Sequence, residues 1–271
     1  MVQTRFSGCL VAMALAWAAA AAAAGAPDDL APFLAVHQKA TALAEKKDWA
    51  EAAKAYAAFA AANEGDPCAP LAWALQGILL RRELNQPDKA REALLRAAKA
   101  PNTPFGQATA ELARGWLARL QMEQLDAALR RYWVAHVEYP ETLEALAKAK
   151  LAPPEMLVDP WGKPFAYATA ALKAQPDLPR QVYSLRSTSL AGDSRSIRAY
   201  LNETLKLPRK FQLKAIGGVK PLAALIAFAD EPARRPVNLA EGERLNGATL
   251  VKLTPQGAIL FEGGAVAVLA R

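Results

Sequence analysis

The sequence predicts an α+β multidomain chain. α-Helical hairpins come first, then a long helix packed on a small antiparallel sheet, then a small all-β unit. Three observations predict this. Residues 28–137 carry apolar side chains at helical spacing, interrupted by Pro and Gly. Past residue 158, aromatics alternate at Phe165 and Tyr167, and Val182-Tyr183-Ser184-Leu185 follows. Residues 208–271 break into short apolar runs separated by glycine and proline. The expected segments are 1–26, 27–102, 103–207 and 208–271.

Arg5, an apolar run from Cys9 to Ala24, and Gly25-Ala26-Pro27-Asp28-Asp29 describe a cleavable secretory signal peptide over residues 1–26. The run is Ala-rich and shorter than the roughly 20 residues that a bilayer span needs. An uncleaved inner-membrane anchor is the alternative. Cleavage fits after Ala24 or Ala26, and Pro27 argues against the second. Cys9 precedes the apolar core, where a lipoprotein anchor would not be. Cleavage leaves Cys68, a lone thiol that has no disulfide partner within the chain and reads as a small buried residue. The formal charge is +7, but basic residues are scattered among acidic ones. No basic stripe is interleaved with aromatics, which argues against nucleic acid. Acidic protein surfaces or anionic lipid suit that charge better.

Between 27 and 102, Leu30, Leu34, His37 and Leu43 share one helical side. Asp48 and Glu51 have the spacing of a capping box for a second helix carrying Ala52, Ala55, Tyr56 and Phe59. Asn63-Glu64-Gly65-Asp66-Pro67 breaks the chain before a third helix with Leu71, Leu75, Ile78 and Leu79. Asn85-Gln86-Pro87-Asp88 then supplies a cap and a proline in the first turn of a fourth. The second and fourth helices look alike, with small residues at matched positions from Trp49 and from Pro87. This resembles tetratricopeptide repeats, although the copies lie farther apart than the usual ~34 residues. A plain Ala-rich bundle is the alternative. Such arrays need about three or more repeats, so the next helix is expected to complete the stack.

Thr103-Pro104 opens that helix, which runs to about Val137 with Leu117, Leu120, Leu125, Leu129 and Tyr132 along one stripe. Tyr139-Pro140 follows, then Asp159-Pro160-Trp161-Gly162. The second motif makes sense as a rigid turn. Proline restricts φ, glycine can supply φ > 0, and tryptophan can pin the loop to the helix. Helix, Tyr-Pro, Asp-Pro-Trp-Gly and Tyr183-Ser184-Leu185 stand in the order seen in the globular domain of type II secretion major pseudopilins, and residues 117–195 resemble that domain. The resemblance implies a helix packed on a small sheet, and a role in envelope assembly rather than catalysis. That family begins with a prepilin-peptidase site and a membrane-inserted helix. Here a signal peptide and helical repeats stand in their place. Members also bind calcium in the final loop, but Arg186–Ser194 offers one carboxylate, Asp193, where the ion takes about six to eight oxygens. Asp193 reads as a turn residue rather than a calcium ligand, and no cofactor is expected.

In the last segment the apolar runs are Phe211–Ile216, Leu222–Phe228, Thr249–Leu253, Ala258–Phe261 and Ala265–Leu269. Gly217-Gly218, Pro255-Gln256-Gly257 and Gly263-Gly264 suit hairpin turns. The pattern of Gly and aliphatic positions is similar to the homologous-region domain of the type II secretion inner-membrane clamp component, and to pilot-like lipoproteins of type IV pilus systems. The likeness implies binding to the periplasmic domain of the outer-membrane secretin. Strand-edge pairing near Ile226 and Phe228, with Arg234 and Arg235 at the rim, is the expected means. Inner-membrane secretion components and the pseudopilus are the other expected partners, and membrane contact would come only through the signal peptide or partner proteins.

No Gly-x-Ser-x-Gly elbow, phosphate-binding glycine loop or His-Glu-x-x-His is present. His37 and His136 lie far apart without a second ligand at metal spacing. The residues therefore point away from an enzyme and toward a periplasmic adaptor. A free-standing repeat scaffold and an envelope enzyme that captures substrate with its helices are the rival readings.

Overall fold

The computed structural model describes residues 29–172, 180–190, 211–218, 221–262 and 264–271. Its architecture is mixed α+β. Helices come first: α1 (Ala31–Glu45), α2 (Trp49–Ala62), α3 (Ala69–Arg82), α4 (Pro87–Ala97) and the long α5 (Pro104–His136). The caps show why several of them start where they do. Asp48 accepts from the Glu51 N–H at 3.4 Å, and Thr103 accepts from the Gly106 N–H at 3.0 Å. The cap expected near Asn85 is different. Gln86 precedes α4 without a side-chain bond, while Asn85 adopts φ +49° and accepts from Arg81 at 3.2 Å. Pro87 can open the helix without such a cap, because its missing N–H would be unpaired there in any case.

Consecutive helices pack as antiparallel neighbours, and α3 also reaches α5. The α3–α4 crossing is very close. A Cβ on Gly77 would lie 2.7 Å from Leu94 Cγ, so only glycine permits this approach. Arg81 on α3 meets Glu123 on α5 at 2.7 Å, both partly buried. None of the described helices is long and apolar enough to cross a membrane.

Beyond α5, the short α6 (Glu144–Lys148) and a 3-10 turn at Pro154–Leu157 lead to the antiparallel hairpin β1 (Ala166–Leu172) and β2 (Arg180–Arg186). These two short helical pieces carry too few residues to show a periodicity, and the sequence did not reveal them. Met122, Leu125, Ala128 and Leu129 of α5 form a core here with Leu143, Leu146, Ala152, Phe165 and Leu185.

The last segment holds two antiparallel sheets. One runs β3 (Phe211–Gly217), β4 (Ala223–Phe228), β5 (Val237–Ala240). The other runs β6 (Arg244–Leu245), β7 (Ala248–Thr254), β8 (Gly257–Glu262), β9 (Ala265–Ala270). All five expected runs are strands. β5 and β6 are additional, and both are too short to alternate legibly. The sheets enclose a core of Phe211, Ala224, Ile226, Phe228, Leu239, Leu250 and Leu260.

The second sheet is apolar on both faces. Val251 and Ile259, with Phe261, Val266 and Val268, join the helical core that contains Leu34, Leu71, Phe105, Leu112 and Trp116. Gly257 permits this contact. A Cβ there would lie 2.9 Å from a Leu34 methyl and 2.5 Å from the Leu269 carbonyl. Trp116 donates its Nε1–H to the Gly264 carbonyl at 3.1 Å, which ties α5 to the β8–β9 turn. Helices, four-stranded sheet and three-stranded sheet are thus three successive layers.

Candidate functional site: the turn cluster on the long helix

The motifs singled out in the sequence converge on α5. In Asp159-Pro160-Trp161-Gly162 the Asp159 side chain is 3% exposed. Its Oδ1 accepts from the Trp161 and Lys163 N–H groups at 3.0 and 2.9 Å, and its Oδ2 accepts from Ser187 Oγ–H at 2.7 Å. Burial alone would raise the carboxyl pKa. The hydrogen bonds from Ser187, Lys163 and Trp161 outweigh it and hold the group below its ordinary range. Gly162 takes φ +82°, and its N–H closes the turn onto the Asp159 carbonyl at 2.8 Å. Pro160 sits between these groups with its φ restricted. Trp161 does reach the helix, donating Nε1–H to Glu111 Oε2 at 2.9 Å.

Tyr139-Pro140 forms the second half. The Tyr139 N–H donates to Gln181 Oε1 at 2.6 Å, and the Tyr167 hydroxyl donates to the Pro140 carbonyl at 2.8 Å. The Tyr139 and Tyr183 rings meet edge to face, with centroids 4.7 Å apart. The Tyr183 hydroxyl donates to Asp126 on α5, which also pairs with Arg130 at 2.8 Å. Burial, and then the bond to Asp126, push the Tyr183 phenol pKa up, so this hydroxyl keeps its proton. The cluster is a fastener. Its polar groups are spent on one another, and among the described residues no His, Cys, Asp or Glu group could hold a metal ion. The signal peptide expected over 1–26, and Asp193, lie outside the described residues.

The β unit corrects the expected contact surface. Ile226 is fully buried and Phe228 is 2% exposed, both in the core between the sheets. They sit on β4, the middle strand, which pairs with β3 along its length and with β5 as far as Ile226. An apolar run on a central strand goes to the core, so neither side chain can meet a partner. Arg234 is also engaged. Its guanidinium lies 4.1 Å from the Phe228 ring centroid and donates to Glu231 at 3.1 Å and Asn246 at 3.3 Å. Arg235 is exposed.

The sequence reading missed the apolar end of α5. Trp133, Val134 and Val137 are 42%, 75% and 77% exposed. Val137 caps the helix at φ +63°, a left-handed conformation that disfavours a β-branched residue. The signal was present in the spacing, since Val134 lies opposite the Leu125–Leu129 stripe. Neither histidine has a catalytic setting. The His37 Nδ1 and the Tyr56 hydroxyl share a hydrogen bond of 2.7 Å, and burial lowers the imidazole pKa to about 4. His136 stacks on Tyr132 with centroids 4.0 Å apart. Cys68 is buried, and burial pushes its thiol pKa up to about 12.

No family model, no curated protein and no solved structure matches this chain.

Proposed function

We propose that the protein is a non-catalytic periplasmic adaptor of a type II secretion-like or type IV pilus-like system. One observation carries the reading. Tyr139-Pro140, Asp159-Pro160-Trp161-Gly162 and Tyr183 fold against a single long helix and a small antiparallel hairpin. That is the arrangement the pseudopilin resemblance implies, with each motif residue fastening helix, turn and sheet. Helices α1–α4 serve as a repeat-like brace, and the two-sheet unit meets the secretin through its rim, where Arg235 is an exposed cation.

The test is calorimetric titration of the full chain against the periplasmic N-terminal domain of the secretin from the same organism. Saturable binding at about micromolar Kd, weakened about tenfold by Arg235→Glu, supports the adaptor. Absence of binding with both proteins folded removes the secretin contact. A free-standing envelope scaffold then stands in front. The burial of Val251 and Ile259 against the chain's own helices favours that second reading, because it makes the β unit part of one compact body.

A further inference from the structure

The four outer edges of the two C-terminal sheets are not equivalent. Exposed edges invite pairing with other chains, and proteins blunt them with short length, charge, proline or bulges. β6 is only Arg244-Leu245. β5 has four residues and follows Pro236. β3 carries Lys214 at an irregularity between Leu213 and Ala215. β9 has none of these devices. Its six residues, Ala265-Val266-Ala267-Val268-Leu269-Ala270, are all apolar and pair with β8 in unbroken register. Among the described residues β9 is hydrogen-bonded to β8 alone, and β3 and α1 both lie against it without pairing.

The ladder identifies which groups point away from β8. The Arg271 N–H donates to the Gln256 carbonyl at 3.0 Å, which makes Arg271 and Gln256 a hydrogen-bonded pair. Such pairs alternate along an antiparallel ladder, so Val266, Val268 and Ala270 aim their N–H and C=O groups away from β8. We infer that β9 is a self-pairing edge, on which a second copy of this chain adds its own β9 antiparallel about a two-fold axis through Val268.

Self-complementarity supports a second copy as the occupant. A two-fold at Val268 sets Val266 opposite Ala270 and Val268 opposite itself. All three residues direct their backbone groups outward, so each such pair can exchange both N–H···O bonds. The charges also match. The same register sets Arg271 opposite Ala265 of the copy, and Ala265 pairs with Glu262 one strand further in. Arg271 and the copy's Glu262 therefore share a sheet face about two strand spacings, ~10 Å, apart. Arg and Glu side chains can span that distance. Glu262 Oε2 is buried with no hydrogen-bond partner among the described residues, and Arg271 is exposed. Pairing would join two four-stranded sheets into one continuous sheet, closing an edge that is unpaired among the described residues in the manner of an isologous dimer.

Sedimentation velocity of the full chain over a concentration series tests this. The expected result is a monomer–dimer equilibrium with a Kd in the range of about 1–100 µM. Ala270→Pro removes an outward N–H while leaving the β8 bonds of its neighbours, and weakens the dimer at least about tenfold. Arg271→Glu, at an exposed position with little folding risk, weakens it about threefold to tenfold, and added salt narrows that difference. A wild type that stays monomeric at about 200 µM overturns the proposal. So does a dimer that survives Arg271→Glu unchanged together with Ala270→Pro, or with Glu262→Gln where the proline variant does not fold.

Discussion

At the scale of single residues, the two buried polar centres are held in opposite charge states, and both lose their stabilising effect as pH falls. His37 is held neutral against Tyr56. Its pKa falls from 6.5 in the unfolded chain to about 4 in the fold. Between those values the unfolded chain binds more protons, so stability is complete above pH 6.5 and is lost as pH falls toward 4. The loss reaches about 2 kcal/mol at pH 5. Denaturant unfolding at several pH values should show this slope, and His37→Gln should flatten it. Asp159 is held ionised by donors. Asp159→Ala leaves the Trp161 and Lys163 N–H groups and the Ser187 hydroxyl without their acceptor, at a cost of about 3 kcal/mol. Asp159→Asn keeps an oxygen for the two N–H donors and costs about 1 kcal/mol. Paired urea melts of the two variants distinguish a structural carboxylate from one that is merely tolerated. Both centres were legible only as residue types. A sequence places Asp before Pro-Trp-Gly, but it does not say that Ser187 closes over the carboxylate.

At the scale of elements, local signals were the reliable ones. Capping by Asp48 and Thr103, proline in the first turn, and the stripe on α5 all act within a few residues of one another. The sequence therefore located the five main helices closely. α6 and the 3-10 turn escaped because a single turn has no periodicity to read, and β5 and β6 because a strand of two to four residues barely alternates. Contacts between elements hang on particular positions. Gly77→Ala forces a methyl toward Leu94 Cγ and the Ala90 carbonyl, 2.7 and 3.1 Å away. The α3–α4 pair must shift, which costs about 1–3 kcal/mol and lowers Tm by several degrees for a chain of this size. Differential scanning calorimetry measures it directly. An unchanged Tm would mean that the two helices are free to separate.

At the scale of the whole molecule, the β unit and the helices are one body because β7, β8 and β9 bury both faces. Removing residues 208–271 would bare Leu34, Phe105 and Trp116 on the helical side. A chain ending at residue 207 should therefore bind a hydrophobic dye strongly and aggregate, whereas the intact chain should unfold in one cooperative transition. Dye fluorescence and light scattering check this, and a well-behaved, dye-silent fragment would show the two parts to be independent. By itself the sequence determined what depends on neighbours along the chain: helical stripes, caps, the Asp-Pro-Trp-Gly turn and the hairpin glycines. Only the tertiary structure decided which partner each apolar face meets. Leu250-Val251 and Ala258-Ile259 are apolar on both sides of their strands, and alternation carries no record of what lies across from a face. The fold resolved that ambiguity by setting helices on one side and the three-stranded sheet on the other. The same layering put Ile226 and Phe228 inside and left Arg235 at the surface.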